Sequence, residues 1–280
     1  MRPILFKIGS LPIHSYGLML AVAFLVATYI AARRARKEGI PPQIVFDLGL
    51  LTLVSSVVGA HLFHVLQHPR SYGSLLDIVG MWQGGLSGLA FYGGFILALV
   101  VGILYVRWRG LPVADITDIF APSLVLGVGI GRVGCFLAGC CFGKSTSLPW
   151  GVTFPENSLV TLELGRMEKV HPTELYSSIY LLSMFAILLI LRKHIKIRGL
   201  LFLLSVLMYS IHRFFVDFLR YYTPDERMGS LATSQVISII AAVAALAAII
   251  FLTARQASDA SALEMRESER EKVSWQGTEQ

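Results

Sequence analysis

Seven stretches of this chain, at about 16–32, 46–66, 91–106, 114–133, 174–192, 199–219 and 233–253, are apolar for close to the length that crosses a bilayer. An α-helix needs roughly 20 such residues to cross the hydrocarbon core. Lipid offers no water to a bare N–H or C=O, so runs of this length satisfy their backbone internally, as helices. Composition agrees: 55% of residues are hydrophobic and only 15% charged, against about 25% charged in soluble domains. The expected class is an all-α polytopic membrane protein with about seven transmembrane helices and a small external head region.

Lysine and arginine set the expected orientation. The linkers after the first, third, fifth and seventh runs carry "RRARKEG", "RWRG", "RKHIKIRG" and a tail opening at Arg255, while the alternate linkers hold few basic residues for their length. Basic loops stay cytoplasmic, which puts the N-terminus outside and the C-terminus inside. The net charge of +6 then belongs mostly to the cytoplasmic face, where it suits anionic membrane lipids rather than nucleic acid. No cleavable signal is evident, because the first apolar run ends in a strong basic stop.

Two external linkers, 67–90 and 134–173, are longer than simple turns, and connections of that length usually carry function or are disordered. The second contains "LPWGVTFP", which predicts a short strand or hairpin in a small cap. Residues 1–253 with both loops read as one membrane domain. The polar tail, 254–280, mixes charges of both signs and reads as disordered or as a frayed surface helix. The three cysteines, Cys135, Cys140 and Cys141, have no histidine at a zinc-finger spacing, so no metal is expected there. Adjacent Cys140 and Cys141 offer no obvious pairing geometry. Small packing residues are the expected role.

Ionisable groups at membrane depth are costly and point to function. Arg132 sits in "GIGRVGCFLAGCCFG" without a carboxylate three or four residues away, which suggests an anionic ligand. The surrounding glycines permit close backbone approach and anion-binding turns. Arg213 and Asp217 lie four apart with Arg220 near the same stripe; they either pair with each other, with Arg220 reaching for the interface, or serve a site. Tyr16 opens the first run, Tyr92 the third in "FYGG", and His171 and Glu174 the fifth in "HPTELY". Tyrosine at an interface is ordinary belt chemistry, so the convergence of Tyr, Arg, His and Glu on one side is the stronger signal. A phosphate held at headgroup depth would satisfy it.

"HSYGLML", "FYGG", "GRVGCFLAGCCFG", "HPTELY" and "RFFVDFLR", in this order, resemble the prolipoprotein diacylglyceryl transferases of bacterial inner membranes, over residues 10 to about 253. The resemblance implies transfer of diacylglyceryl from phosphatidylglycerol to the lipobox cysteine of prolipoprotein signal peptides, with release of glycerol phosphate. It assigns catalytic roles to Arg132, Arg213, Tyr16 and Tyr92. It assigns substrate contacts to Arg132, Gly143, Gly93, Gly94, His171, Glu174, Tyr209, Asp217 and Arg220. Where well-known members read Asn-Phe-x-Asn-x-Glu after the Gly-Arg pair, this chain has Cys135, Ala138 and Cys140; where many carry histidine before the paired glycines, it has Tyr92. Tyr92, His171 and Glu174 therefore compete for the role of base. No nucleotide or metal motif is present in the sequence and the implied reaction calls for no cofactor.

Two other classes fit parts of the pattern. A small-solute transporter also places arginine at depth, but such proteins usually carry repeats and midplane sites, and no repeat is visible here. A non-catalytic phospholipid-binding membrane protein would use the same arginines.

Overall fold

The computed structural model describes residues 4–9, 11–69, 90–156 and 158–278. Most of the linker 67–90 lies outside these residues. A hairpin comes first, β1 (Ile4–Ile8) and β2 (Leu11–His14), turning at Gly9 with φ +61°. Helices α1 (Ser15–Lys37), α2 (Pro42–Gln67), α3 (Phe91–Trp108) and α4 (Val113–Ala138) follow. Next come β3 (Val152–Thr153), α5 (Leu159–Leu164) and β4 (Lys169–Val170). After α6 (Thr173–Leu191) and α7 (Leu200–Leu219), a second small hairpin, β5 (Arg227–Met228) and β6 (Leu231–Ala232), leads into α8 (Thr233–Thr278).

Six of these helices are long and apolar enough to span a membrane: α1, α2, α4, α6, α7 and the part of α8 up to Asp259. The 18-residue α3 is the seventh apolar helix. The chain is a multi-pass membrane protein, and each apolar run of the sequence lies in one helix. Helix α8 runs on to Thr278, so the backbone of the described tail is helical rather than disordered. The N-terminal hairpin was not anticipated, although "ILFKIGSLPIH" places a Gly-Ser turn between two apolar stretches.

By its contacts the chain divides into two compact units, Leu25–Phe120 and Met1–Phe24 with Ala121–Gln280. The first unit has a core of Ala31, Ala32, Ala35, Val45, Leu48, Val106, Ile116 and Ile119. Its α2 and α3 are pressed together through glycine. A Cβ built on Gly59 would stand 2.5 Å from the Gly93 carbonyl oxygen, and one on Gly94 2.6 Å from that of Ser56. Lipid tails are as apolar as leucine, so close packing through small residues, not escape from water, drives such helix pairs.

The second unit has two cores. Val125, Leu181, Met184, Leu188 and Leu201 join α4, α6 and α7. Phe142, Phe154, Val160 and Val170 close the head segment between α4 and α6. There β3 pairs antiparallel with β4, as "LPWGVTFP" predicts. Ser158 caps α5, accepting a hydrogen bond from the Thr161 amide at 3.2 Å, and Gly165 ends it at φ +69°. Burial of each large apolar side chain in such a head core contributes about 1.5–3 kcal/mol.

Candidate functional site

The site grows from the glycine-bearing end of α4. Gly134 has its Cα so near α1 that a Cβ there would lie 2.9 Å from Met19 Cβ and 3.6 Å from Tyr16 Cα. A Cβ on Gly129 would lie 3.3 Å from Leu181 Cβ of α6, and the Gly129 carbonyl accepts a hydrogen bond from the Ser178 hydroxyl at 3.0 Å. These close approaches gather the starts of α1 and α6 around Arg132. The partly buried Arg132 guanidinium lies within hydrogen-bonding reach of the Tyr209 hydroxyl and near Cys135 and Cys141. Among the described residues no carboxylate pairs with it. The Tyr16 phenol shares this neighbourhood, within electrostatic range of Arg132 and all three cysteines.

Past Ala138 the helix ends at Gly139, φ +75°, and the chain threads between two others. The Gly143 amide donates to the His171 carbonyl at 2.9 Å, the His171 amide to Lys144 O at 3.0 Å, the Lys144 amide to Leu219 O at 2.8 Å, and the Tyr221 amide to Phe142 O at 3.1 Å. A Cβ on Gly143 would sit 2.5 Å from His171 Cβ and 2.8 Å from Leu219 O. No side chain fits there. Gly143 thus ties the starts of α6 and the end of α7 to the arginine segment, bringing Glu174 and Arg220 toward Arg132. Glu174 is 1% exposed, and among the described residues only its own backbone amide comes within reach of its carboxylate. Arg132 and Arg220 are the cations in its field.

Arg213 and Asp217 form the internal pair that was one of the two sequence readings. Arg213 Nε lies 3.2 Å from Asp217 Oδ2, and its Nη2 donates to the Tyr222 hydroxyl at 3.0 Å. Ser234 Oγ stands 2.6 Å from the same Asp217 oxygen and 2.9 Å from the Tyr222 hydroxyl. Since serine has one proton and the carboxylate takes it, Tyr222 must donate to Ser234. The result is a closed ring of four side chains in which each hydrogen bond polarises the next. Burial raises the Tyr222 pKa, with Arg213 and Arg220 opposing, so the phenol keeps the proton the ring requires. Arg220 stacks over the Tyr222 ring at 5.1 Å.

Four predicted residues remain to be described. His171 Nδ1 is 3.3 Å from the Tyr176 hydroxyl, which also accepts from Trp150 Nε1 at 2.9 Å. Tyr92, Gly93 and Gly94 belong to the first turn of α3 in the other unit, where Tyr92 is 52% exposed. The faces of Gly93 and Gly94 are filled by Phe63 and by the backbone of Gly59 and Ser56. Sequence reading missed Tyr222 and Ser234. "RYYTP" directly after the Arg220 stripe and the polar "TSQ" opening the last run were the available signals.

The three cysteines, expected as packing residues, lie side by side. Their three sulfurs lie within 4.8 Å of one another, because Gly139 reverses the chain and Cys141 adopts φ +69°. Hydrogen bonds from the Cys135 and Cys140 thiols, with Arg220 and Arg132 nearby, hold Cys141 well below the usual thiol range. The same hydrogen bonding, Cys135 first, pushes Cys140 up.

A partly buried guanidinium without a carboxylate, a hydrogen-bonded second arginine and a head segment laced over both suit a phosphate-bearing lipid. The family model described as prolipoprotein diacylglyceryl transferase matches residues 3–251. A relative from Clostridium tetani, 33% identical over 85% of this chain and 93% of its own length, bears the name phosphatidylglycerol--prolipoprotein diacylglyceryl transferase. Relatives of the same name from Trichormus variabilis (31% identical over 91% of this chain and 90% of their own) and Bacillus velezensis (32%, 92% and 94%) match similarly. The family model alone spans nearly all seven apolar helices and both halves of the arginine site, and the chain belongs to the prolipoprotein diacylglyceryl transferase family.

Proposed function

We propose that this chain transfers the diacylglyceryl group of phosphatidylglycerol to the lipobox cysteine of prolipoproteins in the bacterial inner membrane. The cysteine sulfur, as thiolate, attacks the glycerol carbon that bears the phosphate ester. A carbon–sulfur thioether forms as the carbon–oxygen bond breaks, and glycerol phosphate leaves with the electron pair. The observation that carries this reading is Arg132, a guanidinium with no carboxylate partner among the described residues, set beside Tyr209 in a chain of this family.

The departing phosphate gains negative charge at the bridging oxygen, and a preorganised guanidinium at that point stabilises the transition state by about 2–4 kcal/mol. Arg132 supplies this contact. Arg213, held rigid by its ring, and Arg220 add positive field, while Tyr16, Tyr209 and His171 orient the headgroup. Gly143 keeps the backbones of the head segment, α6 and α7 close enough for these side chains to serve. The substrate thiol, with an unperturbed pKa near 8.5, needs only modest help to ionise, and Tyr92, His171 and Glu174 are the candidates to take its proton. The N-terminus and head face the exterior and the C-terminal helix ends in the cytoplasm, which is supported by Arg34, Arg36 and Lys37 in the last turn of α1 and by the other basic linkers.

The test is reconstitution in proteoliposomes containing phosphatidylglycerol with a lipobox peptide. Thioether-linked diacylglyceryl peptide and free glycerol phosphate in equal amounts are the expected products. Folded protein that binds phosphatidylglycerol yet forms no thioether would establish the non-catalytic lipid-binding alternative instead.

A further inference from the structure

The cysteine cluster lies beyond anything the transfer reaction requires. The attacking thiol belongs to the substrate, and displacement at the glycerol carbon passes through no enzyme-bound intermediate. Yet Cys135, Cys140 and Cys141 bring three sulfurs within 4.8 Å of one another. A trigonal thiolate site with metal–sulfur bonds of about 2.3 Å needs sulfurs about 4.0 Å apart, close to the 4.8 Å that bounds this arrangement. The backbone beneath is already bent to that purpose. Cys140 N donates to Cys135 O at 3.1 Å, Cys141 holds φ +69°, and its carbonyl accepts from the Thr173 hydroxyl at 3.0 Å. A non-glycine residue in that region costs about 1–3 kcal/mol and persists where the surroundings over-determine it.

Charge around the cluster supports the same reading. Three thiolates gathered at membrane depth need cations, and Arg132 and Arg220 lie within electrostatic range of Cys141. Sulfur ligands select soft ions over magnesium or calcium.

The geometry points to a three-thiolate site formed by Cys135, Cys140 and Cys141 that binds one soft, thiophilic d10 metal ion beside Arg132. Binding releases the remaining thiol protons to solvent and adds no redox step. Because the site adjoins the guanidinium, its occupancy gives the protein a metal-responsive element next to the phosphate position.

Cadmium(II), a spectroscopic stand-in for zinc-group ions, tests this directly. Reduced full-length protein in detergent is titrated with Cd(II) while thiolate-to-metal charge-transfer absorption is followed. One equivalent per chain is expected, and the combined change Cys135→Ser, Cys140→Ser and Cys141→Ser should abolish the band. Any one of these substitutions alone should weaken binding by at least about a hundredfold, beyond the loss seen for supporting residues. A second measurement on the unaltered chain covers variants that fail to fold: bound Cd(II) should protect all three thiols together from alkylation, read by mass spectrometry of each cysteine. Binding of under half an equivalent, a band that survives in the triple variant, alkylation at equal rates with and without Cd(II), or a disulfide between any two of the three in protein isolated without reductant would overturn the proposal.

Discussion

The two compact units spend their small and polar residues differently. In Leu25–Phe120, glycine serves packing: Gly59, Gly93 and Gly94 let α2 and α3 touch backbone to backbone, and polar side chains bond from helix to helix, such as Tyr105 to Asp47 at 2.9 Å. In the unit holding Ala121–Gln280, glycine packing gathers segments around an arginine. Gly134 and Gly143 draw α1, α6 and α7 around Arg132, and buried polar atoms of Glu174, Asp217, Arg220 and His212 have no hydrogen-bond partner among the described residues. An unsatisfied buried polar atom costs about 1–3 kcal/mol.

The comparison breaks most easily at Arg132. Arg132→Ala should lower thioether formation by at least about a hundredfold while leaving the purified protein folded. Near-normal transfer by this variant would remove the phosphate role and, with it, the contrast between the units.

Tyr92 tests whether the packing unit also contributes chemistry. Tyr92→Phe keeps the ring and deletes the hydroxyl, and a drop of about tenfold, partly restored by Tyr92→His, is expected because imidazole accepts a proton near neutral pH. Rates measured across a pH series for both variants decide it. An unchanged Phe profile would remove Tyr92 from the mechanism and leave His171 and Glu174 as the candidate bases.

A smaller effect is expected in the Arg213 ring. Ser234→Ala removes one donor to Asp217 and one acceptor from Tyr222, so Arg213 loses alignment and transfer should fall roughly fivefold, the equivalent of about 1 kcal/mol for a typical hydrogen bond. Because the alignment acts on the phosphate, kcat should fall more than KM changes. A variant whose thermal unfolding shifts while its kinetics stay constant would make the ring purely structural.

The smallest kinetic effect belongs to Gly59. Gly59→Ala puts a methyl group 2.5 Å from the Gly93 oxygen and 2.6 Å from Leu97 Cβ, overpacking that costs about 1–3 kcal/mol. A lower unfolding temperature with unchanged transfer per folded molecule is expected. A loss of turnover in the folded fraction would show that α2 and α3 tune the reaction as well as pack.

Much of this was readable before any coordinates. Seven apolar runs dictate seven helices because a backbone in lipid has no other partner than itself, and "LPWGVTFP" announces β3 through its turn and β-branched residues. Helix spacing alone showed that Arg132 lacks the carboxylate neighbour that Arg213 has in Asp217. Ordered motifs then carried the family.

Other features depended on segments far apart in the chain. Hydropathy sees each run as equally apolar, so it could not divide the chain at residues 25 and 120, nor distinguish Gly93, filled by its neighbours, from Gly131, which faces open space. Tyr222 and Ser234 stand 12 residues apart, and only the reversal at Gly229, φ +66°, returns the start of α8 to Asp217. The cysteines show the limit most clearly. Spacing along the chain argued against a shared site for Cys135, Cys140 and Cys141, whereas Gly139 and the left-handed Cys141 fold their sulfurs together. A sequence determines which residues can bear lipid, charge or close approach, because those are properties of single side chains and their periodicity. Which of them meet is decided by loop reversals and helix contacts, whose energies belong to pairs of segments and exist only once the chain has folded.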